Sequence, residues 1–130
     1  SLTNGGFTKV LFQVEEFDTA NCYDTSLSRF TPNVAGYYQI NASAQVTYTS
    51  TGGAVIYNAI YKNGNAFKYC YTGYTTTGNV GMYGTQVSIA LIYMNGTTDY
   101  LEVYAEAVSN NGVIYGSGLS IFSAALVRAA

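Results

Sequence analysis

The side chains of this chain that could do chemistry are carboxylates and thiols, because its 130 residues include no histidine. A serine or cysteine nucleophile therefore lacks the usual imidazole base, and a metal ion lacks a histidine ligand. Glu102 and Glu106 lie on one face of a predicted strand, about 13 Å apart at the rise of a strand, too far for a glycosidase carboxylate pair. A pair with Asp99, or across strands, stays open. We expect no enzyme activity and no cofactor.

Two aspartates and two cysteines are the other candidates for chemistry. Calcium needs only hard oxygen ligands, and Asp18 and Asp24 of "DTANCYD" are the residues that would bind it. The pattern favours the alternative, in which both aspartates cap turns of a connecting loop and no metal binds. Cys22 and Cys70 are too few for a disulfide scaffold. They are either two separate thiols, which is the favoured interpretation, or a single disulfide.

Composition excludes two classes of partner. Charged residues make up 9% of the chain, the net charge is −2, and the five Lys and Arg residues are scattered. Since no basic stripe is present to neutralise phosphates, we expect no nucleic-acid binding. No run of about 20 apolar residues occurs, so we expect no membrane insertion. Residues 1–6 are interpreted as a linker or the start of a cut fragment, and residues 7–130 as a single domain.

The periodicity of apolar residues predicts an all-β fold. From Tyr38 to Tyr48 apolar residues occupy every second position, which indicates a half-buried strand. Tyr37 should then face outward and Tyr38 inward. Further strands, rich in Val, Ile, Tyr and Phe, are predicted near 7–15, 54–62, 66–72, 85–94, 99–107 and 118–127. Type I′ turns are predicted at the pairs Asn63-Gly64, Asn95-Gly96 and Asn111-Gly112.

Two of the predicted strands carry apolar residues on both faces. They are "AVIYNAIY" (54–61) and "LSIFSAALV" (119–127). A sandwich strand has one face on the core and one in water, unless something covers the outside. A second subunit is the economical cover, and the alternative is a monomer with exposed tyrosines.

The spacing of aromatic residues in the first third of the chain resembles a known signature. Its members follow at intervals of six, five, seven, six and two residues: Phe12, Asp18, Tyr23, Phe30, Gly36 and Tyr38. This spacing is similar to that of the complement 1q-like globular head, a jelly roll related to the tumour necrosis factor fold. "YKNG" (61–64), "DYLEVYAEA" (99–107) and "FSAALV" (122–127) resemble its central hairpin, penultimate strand and closing strand. The chain departs from the family pattern at Ile40, Ala42 and Ala124.

The resemblance implies a two-sheet antiparallel jelly-roll sandwich that assembles as a homotrimer around a three-fold axis. Pro32 would then sit at a turn, and Gly36 would permit a bulge or close approach before the long strand. We expect these residues in the core: Phe12, Phe30, Tyr38, Ile40, Val46, Val103 and Phe122. The candidates for the trimer interface are Tyr37, Val55, Tyr57, Tyr61, Ile121, Ala125 and Val127.

Two stretches rich in Gly and Tyr, 71–84 and 108–118, are predicted to be long ligand-binding loops. Loops of Tyr, Gly, Ser, Thr and Asn make adaptable contact surfaces. The candidate ligand contacts are Tyr71, Tyr74, Tyr83 and Tyr115, and the expected ligand is a glycan or protein receptor on a host surface. The alternative is that these tyrosines pack against a neighbouring subunit.

The function favoured by these features is a non-enzymatic structural and binding domain. We expect the distal, C-terminal knob of a phage virion or tail-fibre protein, on the virion surface or extracellular, used in host attachment or virion assembly. The stretches "FTKVLFQVEEFD" and "RFTPNVAGYYQI" resemble phage virion versions of this head more than animal ones. The alternative is a secreted complement 1q-like recognition head that binds a protein or glycan ligand. Resemblance of fold alone does not choose between the two.

Overall fold

The computed structural model describes residues 2, 5–75, 79–108, 113–115 and 118–130, without the side chains of 49–51, 74, 79, 80, 82 and 115. The described residues form ten strands and no helix. The strands are β1 (Thr8–Lys9), β2 (Tyr23–Asp24), β3 (Arg29–Phe30), β4 (Gly36–Thr51), β5 (Ala54–Lys62), β6 (Asn65–Tyr74), β7 (Asn79–Met94), β8 (Leu101–Val108), β9 (Val113–Tyr115) and β10 (Ile121–Ala129).

The strands are arranged in two antiparallel sheets. The first, which we call the β8 sheet, has the order β2-β3-β8-β5-β6, and β1 also pairs with β8. The second, the β4 sheet, has the order β10-β4-β7, and β9 also pairs with β4. Apolar side chains from both sheets meet in a shared core cluster. The predicted all-β sandwich of two antiparallel sheets is confirmed.

Side chains alternate along β4 as the sequence predicted. The inward residues are all buried: Tyr38, Ile40, Ala42, Ala44, Val46 and Tyr48. Tyr37 is exposed on the opposite face. Of the other predicted core residues, Phe30 and Val103 are buried, whereas Phe12 and Phe122 are half-buried and pack against the core cluster. The prediction succeeds because successive side chains of a strand point to opposite faces.

The segment between β3 and β4 packs closely under the core. Pro32 is fully buried, and the rings of Phe30 and Tyr38 meet edge to face with centroids 5.6 Å apart. The Tyr38 hydroxyl donates to the Val34 carbonyl oxygen at 2.8 Å. At Gly36, an added Cβ would lie 2.3 Å from the carbonyl oxygen of Arg128 in β10. The close approach predicted for Gly36 is confirmed.

We expect Gly36→Ala to lower the free energy of unfolding by about 2 to 3 kcal/mol, because the new methyl group meets backbone that has no rotamer through which to move away. The matched control is Gly73→Ala in β6, where nothing lies within 4 Å of an added Cβ. The control should change stability by less than about 0.5 kcal/mol. Chemical denaturation of both variants measures the difference, and equal midpoints would contradict the close packing of β4 against β10.

The pair Asn63-Gly64 forms the predicted two-residue hairpin turn between β5 and β6. Both residues have positive φ, 52° and 79°, as a type I′ turn requires. The flanking residues Lys62 and Asn65 are paired. The Asn63 side-chain oxygen also accepts the backbone N–H of Tyr100 at 2.9 Å, which ties this turn to the segment that enters β8.

The pair Asn95-Gly96 does not form the predicted type I′ hairpin. It links β7 in the β4 sheet to β8 in the β8 sheet, and only Gly96 of the two has positive φ. The Asn95 side-chain oxygen instead accepts the backbone N–H groups of Thr97, Thr98 and Asp99. The prediction was wrong because an Asn side chain stabilises a local turn of this kind as readily as a hairpin. The pair Asn111-Gly112 lies outside the described residues.

The predicted strand over 7–15 is confirmed only at Thr8–Lys9, which pair with β8. Val10 still donates its backbone N–H to the carbonyl oxygen of Val103 at 2.8 Å. Nearer the start of β8, the same edge is paired with β3, since Phe30 pairs with Leu101, the first residue of β8. The chain therefore leaves the sheet after Val10. Leu2, which the sequence analysis assigned to a linker, is buried in the core cluster.

Candidate interaction surfaces

The outer face of the β4 sheet carries an apolar row on β7. Val87, Ile89, Leu91 and Tyr93 are all exposed, and we call them the β7 row. The neighbouring residues that point inward are buried: Ala90, Ile92 and Met94. This strand therefore has apolar side chains on both faces, and only one face is covered by the core.

Strands β4 and β10 extend this surface, and exposed Arg128 of β10, which pairs with Tyr37, lies at its end. Exposed Ile121, Ala125 and Val127 project from β10, and the Tyr37 ring of β4 meets the Tyr93 ring with centroids 5.5 Å apart. Between the two apolar rows, β4 contributes the neutral polar residues Gln39, Asn41 and Gln45. The segments 37–47, 83–93 and 121–127 contain no charged residue. We call this surface the β4-sheet face.

Strand β7 is also an edge strand of its sheet among the described residues. It has 16 residues, none of them charged and none of them proline. Natural edge strands are usually short, interrupted by proline or charge, or covered, because an open edge offers unpaired backbone groups to another chain. The length and composition of β7 are those of a strand that is covered.

The opposite surface, the outer face of the β8 sheet, is aromatic. The Phe7 ring meets the rings of Tyr57 and Tyr61, with centroids 5.9 and 5.8 Å apart. Tyr61 also packs on Tyr104, at 4.1 Å between centroids, and Tyr57 packs on Tyr71 at 5.5 Å. We call this surface the β8-sheet face, and its aromatic side chains are Phe7, Phe67, Tyr57, Tyr61, Tyr69, Tyr71 and Tyr104.

A buried carboxylate joins two cations on the β8-sheet face. Glu102 accepts Lys9 at 2.8 Å and Arg29 at 2.7 Å, and its second oxygen accepts the Tyr104 hydroxyl at 3.1 Å. Burial raises the pKa of Glu102, but the hydrogen bonds from Lys9, Arg29 and Tyr104 and the charge of Lys9 outweigh it. The pKa of Glu102 therefore lies below its ordinary value of 4.5. The Arg29 guanidinium also lies 3.9 Å from the centroid of the Tyr100 ring.

We expect Glu102 to stabilise the fold above pH 4.5 and to lose that contribution as the pH falls through its lower folded-state pKa. The free energy of unfolding falls in acid because the unfolded chain binds a proton at Glu102 at a higher pH than the folded chain does. Glu102→Gln should therefore be less stable than the parent at pH 7, by about 1 to 2 kcal/mol, and less sensitive to acid.

Urea denaturation between pH 7 and pH 3 measures this effect, with Glu16→Gln as the control because Glu16 is exposed. The control should follow the parent at every pH. Parallel curves for the parent and Glu102→Gln would show that the ion pairs do not contribute.

Glu106 has a different environment on the same face. The residue is only 9% exposed, yet no described residue forms an ion pair or hydrogen bond with it. It pairs across the strands with Tyr57. Burial, followed by the negative charge of Glu106, raises the pKa of Tyr61. Neither Glu106 oxygen is among the buried side-chain atoms without a partner, so the carboxylate reaches solvent while the rest of the residue is covered.

The structure divides the predicted trimer-interface residues between the two surfaces. Tyr37, Ile121, Ala125 and Val127 lie together on the β4-sheet face, whereas Val55, Tyr57 and Tyr61 lie on the β8-sheet face. The outward residues of β5 are also half-buried within the subunit, because Phe7 packs against Tyr57 and Tyr61 on either side of Ala59, which is fully buried. Phe7 of the same chain thus supplies part of the cover of β5, and cover by a second subunit stays a prediction.

The predicted ligand contacts do not form one loop site. Stretch 71–84 is mostly strand, since β6 continues to Tyr74 and β7 begins at Asn79. Tyr71 is exposed on the β8-sheet face, and Tyr83 is exposed on the opposite sheet, across from Thr47. Tyr74 and Tyr115 are placed in β6 and β9, but their side chains lie outside the described residues. The long-loop prediction was wrong for 71–84, because Gly and Tyr are compatible with strands when packing supports them. In the second stretch, residues 109–112 and 116–117 lie outside the described residues.

The two calcium candidates hold turns through their carboxylates. Asp18 accepts the backbone N–H groups of Ala20, Cys22 and Tyr23. Asp24 accepts the backbone N–H groups of Ser26 and Leu27 and the Ser26 hydroxyl. Burial raises the pKa of Asp18, but the backbone hydrogen bonds outweigh it and leave the pKa lowered. These contacts are the turn caps that the pattern favoured.

The cysteines are free thiols. Cys22 is buried and Cys70 is half-buried, which confirms the interpretation as two separate thiols. Cys22 donates weakly to the Ala20 carbonyl oxygen at 3.5 Å.

The β7 row was not predicted from the sequence. It had a signal, since "VSIALIYM" (87–94) has apolar residues at both odd and even positions, like the two strands that were identified as two-sided. Glu106 was considered only as a catalytic carboxylate, and its place beside Tyr57 depends on the pairing of β5 with β8.

No protein-family model matches this sequence, and no curated protein matches it either. Within the described part of the chain, His, Cys, Asp and Glu side chains do not gather in threes as a metal site requires. The same residues include no helix that could cross a membrane.

Proposed function

We propose that this chain is a non-enzymatic, homotrimeric structural and binding domain of the complement 1q-like, jelly-roll type. In this proposal it is the distal knob of a phage virion or tail-fibre protein, on the virion surface or extracellular, and it serves host attachment or virion assembly. The observation that carries the proposal is the β4-sheet face with its exposed β7 row, where Arg128 is the one charged residue of β4, β7 and β10.

The order of the strands supports the jelly-roll assignment. After β3, in the β8 sheet, the chain crosses to the β4 sheet to form β4 and then returns to form the β5–β6 hairpin. It crosses to the β4 sheet again to form β7 and returns to the first sheet to form β8. As a result β8 lies between β3 and β5, and β4 lies between β7 and β10. Such repeated crossing between two antiparallel sheets is typical of jelly rolls.

The chemistry of the β4-sheet face supports self-association. Soluble monomers rarely expose contiguous apolar patches larger than a few hundred Å². Val87, Ile89 and Leu91 form an apolar stripe beside an open strand edge, with Ile121 and Val127 on the far side of β4. Since segments 37–47, 83–93 and 121–127 carry no charge, Arg128 at the end of β10 is the one ion of these strands that contact between the faces could desolvate. Three-fold closure would cover the face on every subunit equally and leave no open end for fibre growth.

Light scattering tests the assembly directly. The purified chain should have about three times the 13.9 kDa mass of one chain and keep that mass on dilution into the micromolar range. A folded, soluble monomer under those conditions would refute the assembly proposal.

The gene region preceding Ser1 tests the biological setting. Fibre-like repeats or a virion-anchoring domain encoded there would support a virion knob. A collagen-like Gly-X-Y region would support a secreted recognition head instead.

A further inference from the structure

We infer that the β8-sheet face binds a neutral glycan, through the exposed rings of Tyr69 and Tyr71 and the carboxylate of Glu106. This inference rests on the proposed attachment function and gives it a ligand class and a location. It differs from the loop site that the sequence suggested, because the residues involved lie on strands β5, β6 and β8.

The rings of β6 form the open part of the surface. Tyr69 and Tyr71 are 63% and 62% exposed, and Phe67 is 43% exposed on the same strand. Tyr69 and Tyr71 are two residues apart and so lie about 6.6 Å from each other along one face. Both rings pack on the Tyr57 ring of the neighbouring strand β5, with centroids 6.4 and 5.5 Å from it, so Tyr57 supports them from the side. The C–H face of a sugar ring is apolar and slightly positive, which suits the negative face of an aromatic ring.

Glu106 supplies the polar part of the surface. Its carboxylate lies beside Tyr57 and Tyr61 and reaches solvent, and no described residue donates a hydrogen bond to it. A carboxylate accepts hydrogen bonds only, so its missing partners must be donors. Sugar hydroxyl groups are donors of the right kind, and they accompany the apolar sugar face that the tyrosines would contact.

The charge balance of the face selects a neutral ligand. Lys9 and Arg29 are both held by Glu102, and Glu106 brings the sum of these four charges to zero. Lys68 pairs with Ile60, whose side chain is in the core, and therefore belongs to the other face of β6. An anionic glycan would meet the carboxylate of Glu106 without a free cation nearby, and the carboxylate would repel it.

The two outer faces of the sandwich suit different partners, a second copy of this chain on one and a glycan on the other. The β7 row is mainly aliphatic and offers no side-chain acceptor on Val87, Ile89 or Leu91, which suits contact with a second copy of this chain. The β8-sheet face combines tyrosine rings with an unpaired acceptor, which suits a polyhydroxyl ligand.

The test uses the full chain and neutral hexasaccharides of glucose, N-acetylglucosamine, galactose and mannose, observed by saturation-transfer NMR and titration. We expect at least one of them to bind with a dissociation constant in the millimolar range or tighter. Tyr69→Ala and Tyr71→Ala should each weaken binding about tenfold, and Glu106→Gln by about threefold. Tyr71→Phe should retain most of the affinity, because it keeps the ring. Tyr83→Ala, on the opposite sheet, is the control and should bind like the parent.

The inference is overturned if none of the four hexasaccharides binds, or if only a sialylated or sulfated comparator binds. It is also overturned if the two alanine variants at Tyr69 and Tyr71 bind like the parent, or if a protein receptor alone occupies this face. Light scattering on the same samples keeps the two proposals apart. A trimer without sugar binding removes only the glycan site, and a monomer that binds sugar removes only the trimer.

Discussion

The Leu91→Asp variant is expected to be a monomer at concentrations where the parent chain is a trimer. Leu91 is 57% exposed at the centre of the β7 row, with Ile89 and Tyr93 beside it on the same face. Assembly would bury three unpaired carboxylates in a surface that contains no cation between positions 83 and 93 or 121 and 127. Each such charge costs roughly 3 to 5 kcal/mol, which exceeds what a single subunit contact recovers.

Leu27→Asp is the matched control for this variant. Leu27 is also a leucine and is 49% exposed, but it lies in the turn between β2 and β3, away from the β4 sheet. The control should keep the mass of the trimer. Sedimentation measures the mass of both variants, and circular dichroism shows that each remains folded. If Leu91→Asp remains a folded trimer, the β7 row is not part of the interface.

The Asn58→Asp variant is expected to lose most of the stability of the fold. Asn58 is fully buried between the sheets, and its amide nitrogen donates to the carbonyl oxygens of Ala42 at 2.8 Å and Gln86 at 3.1 Å. Aspartate replaces this donor with a charged acceptor that faces two acceptors. The cost should be about 4 kcal/mol or more, out of a total stability of 5 to 15 kcal/mol for a typical domain. The thermal midpoint should fall by roughly 15 °C or more.

Asn33→Asp is the control, because it makes the same replacement of an amide by a carboxylate at an exposed position. Asn33 is exposed and donates to the Ala20 carbonyl oxygen at 3.1 Å, so water can solvate the new carboxylate there. Its thermal midpoint should stay within a few degrees of the parent.

The response of Asn58→Asp to acid provides a second check. Burial raises the pKa of a carboxyl group, so the folded variant holds its proton to a higher pH than the unfolded chain does. The deficit relative to the parent should therefore shrink as the pH falls through the raised folded-state pKa, and the recovery should be complete below about 4, the ordinary value for aspartate. A deficit that is small at pH 7 would mean that Asn58 does not bridge the two sheets as described.

Local features of the fold were predictable from the sequence because they depend on neighbours along the chain. The alternation from Tyr38 to Tyr48 assigned each residue of β4 to the correct face, since the pleat has a period of two. The turn at Asn63-Gly64 followed from the positive φ that both residues tolerate. Gly36 was expected at a close approach, and the backbone of Arg128 is what approaches it.

Features that depend on which strands are neighbours were decided by the tertiary structure. Periodicity groups Tyr57 with Tyr61 and groups Ile121 with Ala125, but it does not show that the two groups lie on opposite outer faces of the sandwich. Strand order also placed β7 at an edge, where its second apolar face stays open, and placed Glu106 beside Tyr57. The composition and periodicity of the chain thus determined a β-sandwich with few charged residues. Only the long-range pairing of its strands decided that one surface is mainly aliphatic and the other aromatic with a buried acid, because pairing between distant segments is not encoded in any local spacing.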